Sequence, residues 1–443
     1  MLVRTLTVIA CLLSLKPALT AQTALYFPPK TGNTWQTLSP ASQHFCQDRI
    51  DSLYQFLETN NTKSFMLLKD GKIVLEKYFG TFVQDSLWYW ASAGKSFTAF
   101  MVGQAQEEGL LNIQDKTSDY LGTGWTSAPS DKEALITIWH QLSMTSGLDD
   151  TFIPTPTEPD PNTCTNPQCL NYLADAGTRW AYHTGAYRLL HNVLASASGS
   201  TINQFTKSHV LDRTGMKGLW LFDVFYSTTR DMARFGLLTL AKGAWDTDTL
   251  LHDQDYFYDM THSSQDYNKS YGYLWWLNGQ SSFMVPAFQF VFPGELLPNA
   301  PDDMIAALGK NDQKIHIVPS KGWVVVRMGN AAGTGNEVVP ISFDNTMWAY
   351  LNQLECNASA VHDQLENELK IYPNPAKSGW QIESNGAIQK MQLFDIQGKF
   401  VKSIESEGQK SVWLSATDLP DGMYMLSCTS ERGTTFQKLI KSN

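Results

Sequence analysis

Ser92-Ala93-Gly94-Lys95 is the one Ser-x-x-Lys in the chain. At the start of a helix, that spacing puts a hydroxyl and an amine on one face. It also sets Ser92 at the positive end of the helix dipole, where developing negative charge is favoured. A lysine that is partly desolvated beside a serine hydroxyl has its pKa lowered and can take or relay the hydroxyl proton. The chemistry this suggests is acyl transfer to serine.

Such a pair needs a rigid frame. Residues Ser64–Gly80 hold two apolar runs on either side of Asp70-Gly71, the pattern of a β-hairpin. From Ser92 to about Ala241 the periodicity turns helical, as in SFTAFMVGQAQEEGLL and AYRLLHNVLASASG. Strand-like runs return at Tyr271–Leu277, Met304–Leu308, Lys314–Val318 and Trp323–Met328, and a helical stretch follows over Phe343–Leu354. Strands, a helical block, then strands and a closing helix predict an α/β (α+β) fold in which a helical subdomain interrupts one sheet.

Ser92 follows the aromatic stretch LWYWAS, and ITIWHQLSMTSGLDD, GTRWAYHTGAYRLLHNVL and ALGKNDQKIHIVPSKGWVVVRMG come after it in that order. With this series the chain resembles the serine β-lactamase and penicillin-binding-protein-like hydrolases, closest to the class C and esterase branch, over roughly Ser64–Met328. The resemblance implies an antiparallel sheet flanked by helices. It makes Ser92 the nucleophile and Lys95 its partner. Tyr182 falls on the tyrosine of the family's Tyr-x-Asn element, where a phenolate held between cations would act as general base and then general acid. Lys310 takes the leading position of the third family triplet, and the oxyanion hole is expected from the N–H groups of Ser92 and Gln313. Thr184 stands where the family has asparagine, and Asp312 where it has glycine. Both departures favour an ester or small amide over a β-lactam. Trp275, Trp276 and the run MVPAFQFVF are candidates to line an acyl pocket, whereas Tyr187 and Arg188 read as ordinary helix residues.

The 443 residues suggest two or three domains. With 43% hydrophobic and 17% charged residues the chain has enough apolar side chains for a large core. Its net charge of −10 lacks the basic footprint that nucleic-acid backbones require. Residues 1–21 combine Arg4, an apolar run over Leu6–Leu15 and small residues at Ala18, Thr20 and Ala21, the pattern of a secretory signal. No later segment is apolar enough to span a bilayer. Cysteine usage fits export. Cys164 and Cys169 are close enough for a local bridge, Cys46 and Cys356 would join the two ends of residues 22–356 if those ends pack together, and Cys428 is left over. No second close Cys/His pair stands at zinc-ligand spacing.

Residues 357–368 read as a polar linker. Beyond it, 369–443 carries seven or so short strand-like runs separated by Gly, Asn and Asp turns, the mark of a small β-sandwich. Its LKIYPNPAKSG, LFDIQGKFV, LPDGMYMLSC and FQKLIK segments resemble the type IX secretion C-terminal sorting domain. That resemblance implies the type IX machinery as a partner and a secreted or cell-surface location. The expected function is hydrolysis of an ester, amide or short peptide through a Ser92 acyl-enzyme, with no cofactor or metal. The rivals are a D-aminopeptidase or D,D-peptidase acting on cell-wall peptides, and a non-catalytic surface binding protein of the same fold.

Overall fold

The computed structural model describes residues 25–151, 163–332, 341–356, 369–396, 398–406, 408–430 and 433–442. The proposed signal segment 1–21 and linker 357–368 lie outside the described residues. The elements that frame the first part of the chain are, in order, α1 (Gln47–Thr59), β1 (Thr62–Lys69), β2 (Lys72–Tyr78), β3 (Trp88–Tyr89), α2 (Gly94–Glu107), α3 (Thr184–Ser198), β4 (Leu219–Leu221), β5 (Val224–Ser227) and α4 (Thr229–Leu240). After them come β6 (Trp276–Leu277), β7 (Ser282–Phe283), β8 (Phe292–Pro293), β9 (Ile305–Gly309), β10 (Gln313–Val318), β11 (Trp323–Gly329) and α5 (Ile341–Leu351).

Six strands form the main sheet, in the order β2-β1-β11-β10-β9-β6, with every neighbouring pair antiparallel. Helices cover both faces, so its inner strands are apolar almost throughout rather than alternating: β11 is buried from end to end. On one side α4 packs on β1, β10 and β11. On the other, α1 and α5 meet through Phe56, which stacks on Phe343 at 5.3 Å and on Tyr350 at 4.6 Å. The β1–β2 hairpin turns at Asp70-Gly71 as expected, both residues having positive φ. The stretch Tyr271–Leu277 is strand only at its last two residues, because Leu274 takes a left-handed conformation (φ 60°) that breaks the extended run.

The turn between β9 and β10 carries Lys310, and Arg327 fixes it. That fully buried guanidinium donates to the carbonyls of Asn311 (3.0 Å), Asp312 (2.9 Å), Asn60 (2.8 Å) and Asn330 (3.0 Å) and to Thr62 Oγ1 (3.0 Å). Its five N–H donors have five acceptors. Beside it, Lys314 Nζ lies 2.9 Å from Asp344 and 3.3 Å from Asp312, all three buried. Burial alone would raise the Asp344 carboxyl, but Lys314 and His316 hold it below its usual range. This cluster ties the β10 end of the turn to α5.

Both bridges form, Cys46–Cys356 joining the segment before α1 to the one after α5, and Cys164–Cys169 closing a local loop. Cys428 is free and buried.

The C-terminal part is a sandwich of two antiparallel sheets. One holds β12 (Lys370–Tyr372), β13 (Gly379–Glu383) and β16 (Ser411–Ser415), and the other β14 (Ile388–Asp395), β15 (Phe400–Glu405), β17 (Gly422–Ser430) and β18 (Gly433–Lys441). Trp380, Ile382, Leu393, Leu414, Leu426 and Leu439 fill the space between them.

Two stability tests follow from this frame. Replacing both Cys46 and Cys356 by Ser should lower unfolding free energy by about 2–5 kcal/mol, because the unfolded chain regains the freedom of a very long loop. An unchanged denaturant midpoint would contradict that. Lys314→Met, which leaves two buried carboxylates short of a cation, should cost roughly 3–5 kcal/mol by the same measurement. A neutral result would mean the carboxylates are compensated elsewhere.

Candidate active site

The segment before α2 is held from two sides. Trp90 is fully buried, its N–H donates to the Phe225 carbonyl at 2.8 Å, and its indole N–H donates to Ser227 Oγ at 2.8 Å. Ala91 then takes φ 49°, a left-handed conformation unfavourable for a residue with a Cβ, and a short 3-10 turn over Ala91–Ala93 runs into α2. On the sheet side Gly309 presses against this turn. A Cβ there would stand 2.3 Å from the Trp90 carbonyl oxygen and 3.0 Å from the Ala93 nitrogen, so only glycine allows the approach. Ser92 is left partly exposed, whereas Lys95, one turn on, is 2% exposed.

Lys95 Nζ donates to Ser92 Oγ at 2.9 Å and to Thr184 Oγ1 at 3.3 Å. It lies over the rings of Tyr182 (4.8 Å to the centroid) and Tyr187 (4.5 Å). Among the described residues no carboxylate pairs with it. Burial, reinforced by the Arg188 guanidinium, brings its pKa down to about 7. Burial pushes the Tyr182 phenol well above its usual value, and the nearby Ser92 hydroxyl only partly offsets this. Trp276 stacks on Tyr182 at 5.9 Å with a 24° tilt between planes, and Trp180 borders the same ring at 6.3 Å.

Lys95 therefore lies against both the Ser92 hydroxyl and the ring of Tyr182, and Thr184 keeps a hydrogen bond to the lysine. Other assignments need correction. Among the described residues Lys95 is the one cation that faces the Tyr182 ring, and burial favours the protonated phenol over the phenolate. Lys310 is an exposed turn residue, and Asn311 beside it donates to the Tyr89 hydroxyl at 2.7 Å. Gln313, whose main-chain N–H is the expected donor, is fully buried opposite Gly309 in the strand register, and its side-chain amide donates to the carbonyls of Lys310, Asn311 and Gly329. The main chain facing the serine turn is that of Gly309, four residues earlier. Asp312 does not face the strand edge. The left-handed Asn311-Asp312 turn directs its carboxylate inward to Lys314 and to the N–H of Ala332.

Tyr187 is more than an ordinary helix residue, since its ring also faces the Lys95 amine, at 4.5 Å to the centroid. Its spacing of five from Tyr182 offered no one-face signal. Trp276 belongs to the site and Trp275 to the core, where it stacks on Phe235 at 5.9 Å. His183 caps α3 by accepting the Ala186 N–H at 3.1 Å, so its ring is turned to the backbone.

Among the described residues no helix is long and apolar enough to cross a membrane. In comparisons with known proteins, the Beta-lactamase family model matches residues 61–340, and the model of the secretion system C-terminal sorting domain matches residues 370–442. No curated protein matches the chain. Similar solved structures include a Bacillus anthracis protein provisionally named a 6-aminohexanoate-dimer hydrolase (TM-score 0.56, 16% identity, 74% of this chain and 90% of that one covered). Others are EstCE1, described as a hydrolase with promiscuous acyltransferase activity (0.54, 14%, 69% and 97%), and a class C beta-lactamase mutant (0.51, 17%, 69% and 96%). At these identities the structural likeness is one of fold. The family match spans more than half of the sequence and contains the whole Ser92–Lys95–Tyr182 cluster, so the chain belongs to the beta-lactamase family, with a type IX sorting domain that marks it as secreted or surface-held.

Proposed function

We propose that this protein is an exported serine hydrolase that cleaves an ester or small amide through an acyl-enzyme on Ser92. The observation that carries this reading is the buried Lys95 amine, without a carboxylate partner among the described residues, 2.9 Å from a partly exposed serine hydroxyl. An amine that ionises near 7 is neutral often enough at neutral pH to act as a base, and close enough to its ammonium form to return the proton.

In the first step Ser92 Oγ bonds to the substrate carbonyl carbon while its proton passes to Lys95 Nζ. The oxyanion is held by the Ser92 N–H and by a main-chain N–H at the end of the β9–β10 hairpin, where Gly309 makes the closest approach to the serine turn. Tyr182, protonated because its phenol is desolvated, hands a proton to the leaving alcohol or amine as the carbonyl–heteroatom bond breaks. Water then attacks the acyl carbon, gives its proton to this Lys95–Tyr182 pair, and releases the acid as Ser92 recovers its own. Thr184 supports Lys95 as an asparagine would, but with a shorter arm and no carboxamide to hold a substrate amide. That difference favours esters. EstCE1, a hydrolase of similar fold, fits this class of chemistry.

Intact-protein mass after incubation with a fluorophosphonate should reveal one adduct on the wild type and none on folded Ser92→Ala. Wild-type turnover in Ser92→Ala would sink the assignment. Because the base must be neutral, the rate of adduct formation should rise with pH through a midpoint near about 7, set by Lys95. A rate that is flat or falling across that range would exclude Lys95 as the base. Lys95→Met should slow acylation by about 10²–10⁴-fold.

A further inference from the structure

Strands β7 and β8 pair only with each other, Phe283 opposite Phe292 and Ser282 opposite Pro293, and among the described residues this pair joins no larger sheet. The strap between them reaches the segment leading to Tyr182 through Gln289, and its outer support is the sorting domain. The Gln289 N–H donates to the Ile396 carbonyl at 3.0 Å. Phe290 lies 4.7 Å from Phe394, and Phe292 lies 4.7 Å from Phe436 in an edge-on contact.

The sorting domain is built for this contact. In β14, β17 and β18, Leu393, Leu426 and Leu439 point into the sandwich. Alternation then turns Phe394, Met425 and Phe436 to the opposite face of the sheet, which solvent would otherwise cover. Met425 is 7% exposed and is continuous with the core of the first part of the chain. On the inner side, the Gln289 side-chain amide donates to the Trp180 carbonyl at 3.0 Å, two residues before Tyr182. One residue thus takes its main-chain partner from the sorting domain and gives its side chain to the segment that carries Tyr182.

The geometry points to Gln289 as a positioning residue through which the docked sorting domain sets the placement of Tyr182, and hence the acylation rate. This rests on the reading of Ser92, Lys95 and Tyr182 given above. Loss of the outer support frees the strap, the Trp180 carbonyl loses a fixed donor, and Tyr182 samples positions away from Ser92. Misplacement on the ångström scale is enough to cost one to two orders of magnitude in rate.

The test uses the full chain. The rate of fluorophosphonate adduct formation on Ser92 is compared for wild type, Gln289→Ala, Phe394→Ala with Phe436→Ala, and all three changes together. Gln289→Ala and the paired phenylalanine variant should each slow the reaction by about 5- to 50-fold, with Phe394→Leu/Phe436→Leu restoring most of it. The triple variant should be no slower than the worse of the two, because both act through one link. Trp413→Ala, on the other sheet and about half exposed, should react like wild type. A wild-type rate in Gln289→Ala, or losses that multiply in the triple variant, would overturn the coupling. Hydrogen exchange of amides 180–184 reads the same link without chemistry. It should quicken in the phenylalanine variant, and unchanged exchange would overturn the proposal even if Ser92 formed no adduct. A wild type that forms no adduct but shows the exchange change would instead count against the Ser92 reading alone.

Discussion

A lysine amine buried with no carboxylate beside it among the described residues is the constraint around which this molecule is arranged. An ammonium in that position is expensive to desolvate, and a counterion would remove the expense at once. It would also fix the proton on nitrogen. Instead the ring faces of Tyr182 and Tyr187 and the oxygens of Ser92 and Thr184 surround Lys95. These groups tolerate either protonation state. Arg188, nearby, tilts the balance toward the neutral amine. The helical block makes this possible by bringing α3 across α2 so that the lysine is enclosed, while the turn before α2 keeps the serine at the surface.

The carboxylates are concentrated elsewhere. Asp312 and Asp344 gather around Lys314 on the far side of the β9–β10 turn, and the Arg327 guanidinium caps the turn's carbonyls. The result is a hairpin end that is rigid without presenting negative charge to the serine. Gly309 can then approach the Trp90–Ala93 turn closely enough for two backbones to meet. Local rigidity on the sheet side and neutrality on the helix side are two parts of one electrostatic arrangement.

Much of this is legible in the sequence because it is local. Ser92 and Lys95 lie one helical turn apart, Asp70-Gly71 marks its hairpin, and the seven short runs of the sandwich carry their own turn residues. The Cys164–Cys169 bridge is local too, whereas Cys46–Cys356 depends on the two distant ends packing together. What the sequence hides is long-range or conformational. Nothing in the pattern of α3 says that Tyr187 faces Lys95 rather than the core. Asp312 reads as a strand-edge charge until the left-handed turn that reverses it is known. The YGYLWWL run has strand composition, yet Leu274 breaks it, and only then does Trp276 fall on Tyr182 while Trp275 enters the core. Nor does the sequence show that Gly309, just before Lys310, is the point of backbone contact.

The continuity of Met425 with the interior of the first part of the chain has a bearing on solubility. Phe394, Met425 and Phe436 on one side, and Phe290 and Phe292 on the other, help to keep each other from water. Severing the chain between residues 356 and 369 and separating the pieces would bare two matching aromatic patches, one on each. Exposed patches of that kind drive association. The released halves would tend to rebind each other or to clump. The address label and the enzyme are therefore joined by an adhesive surface as well as by a peptide, and whatever parts them must also provide something to cover the rings.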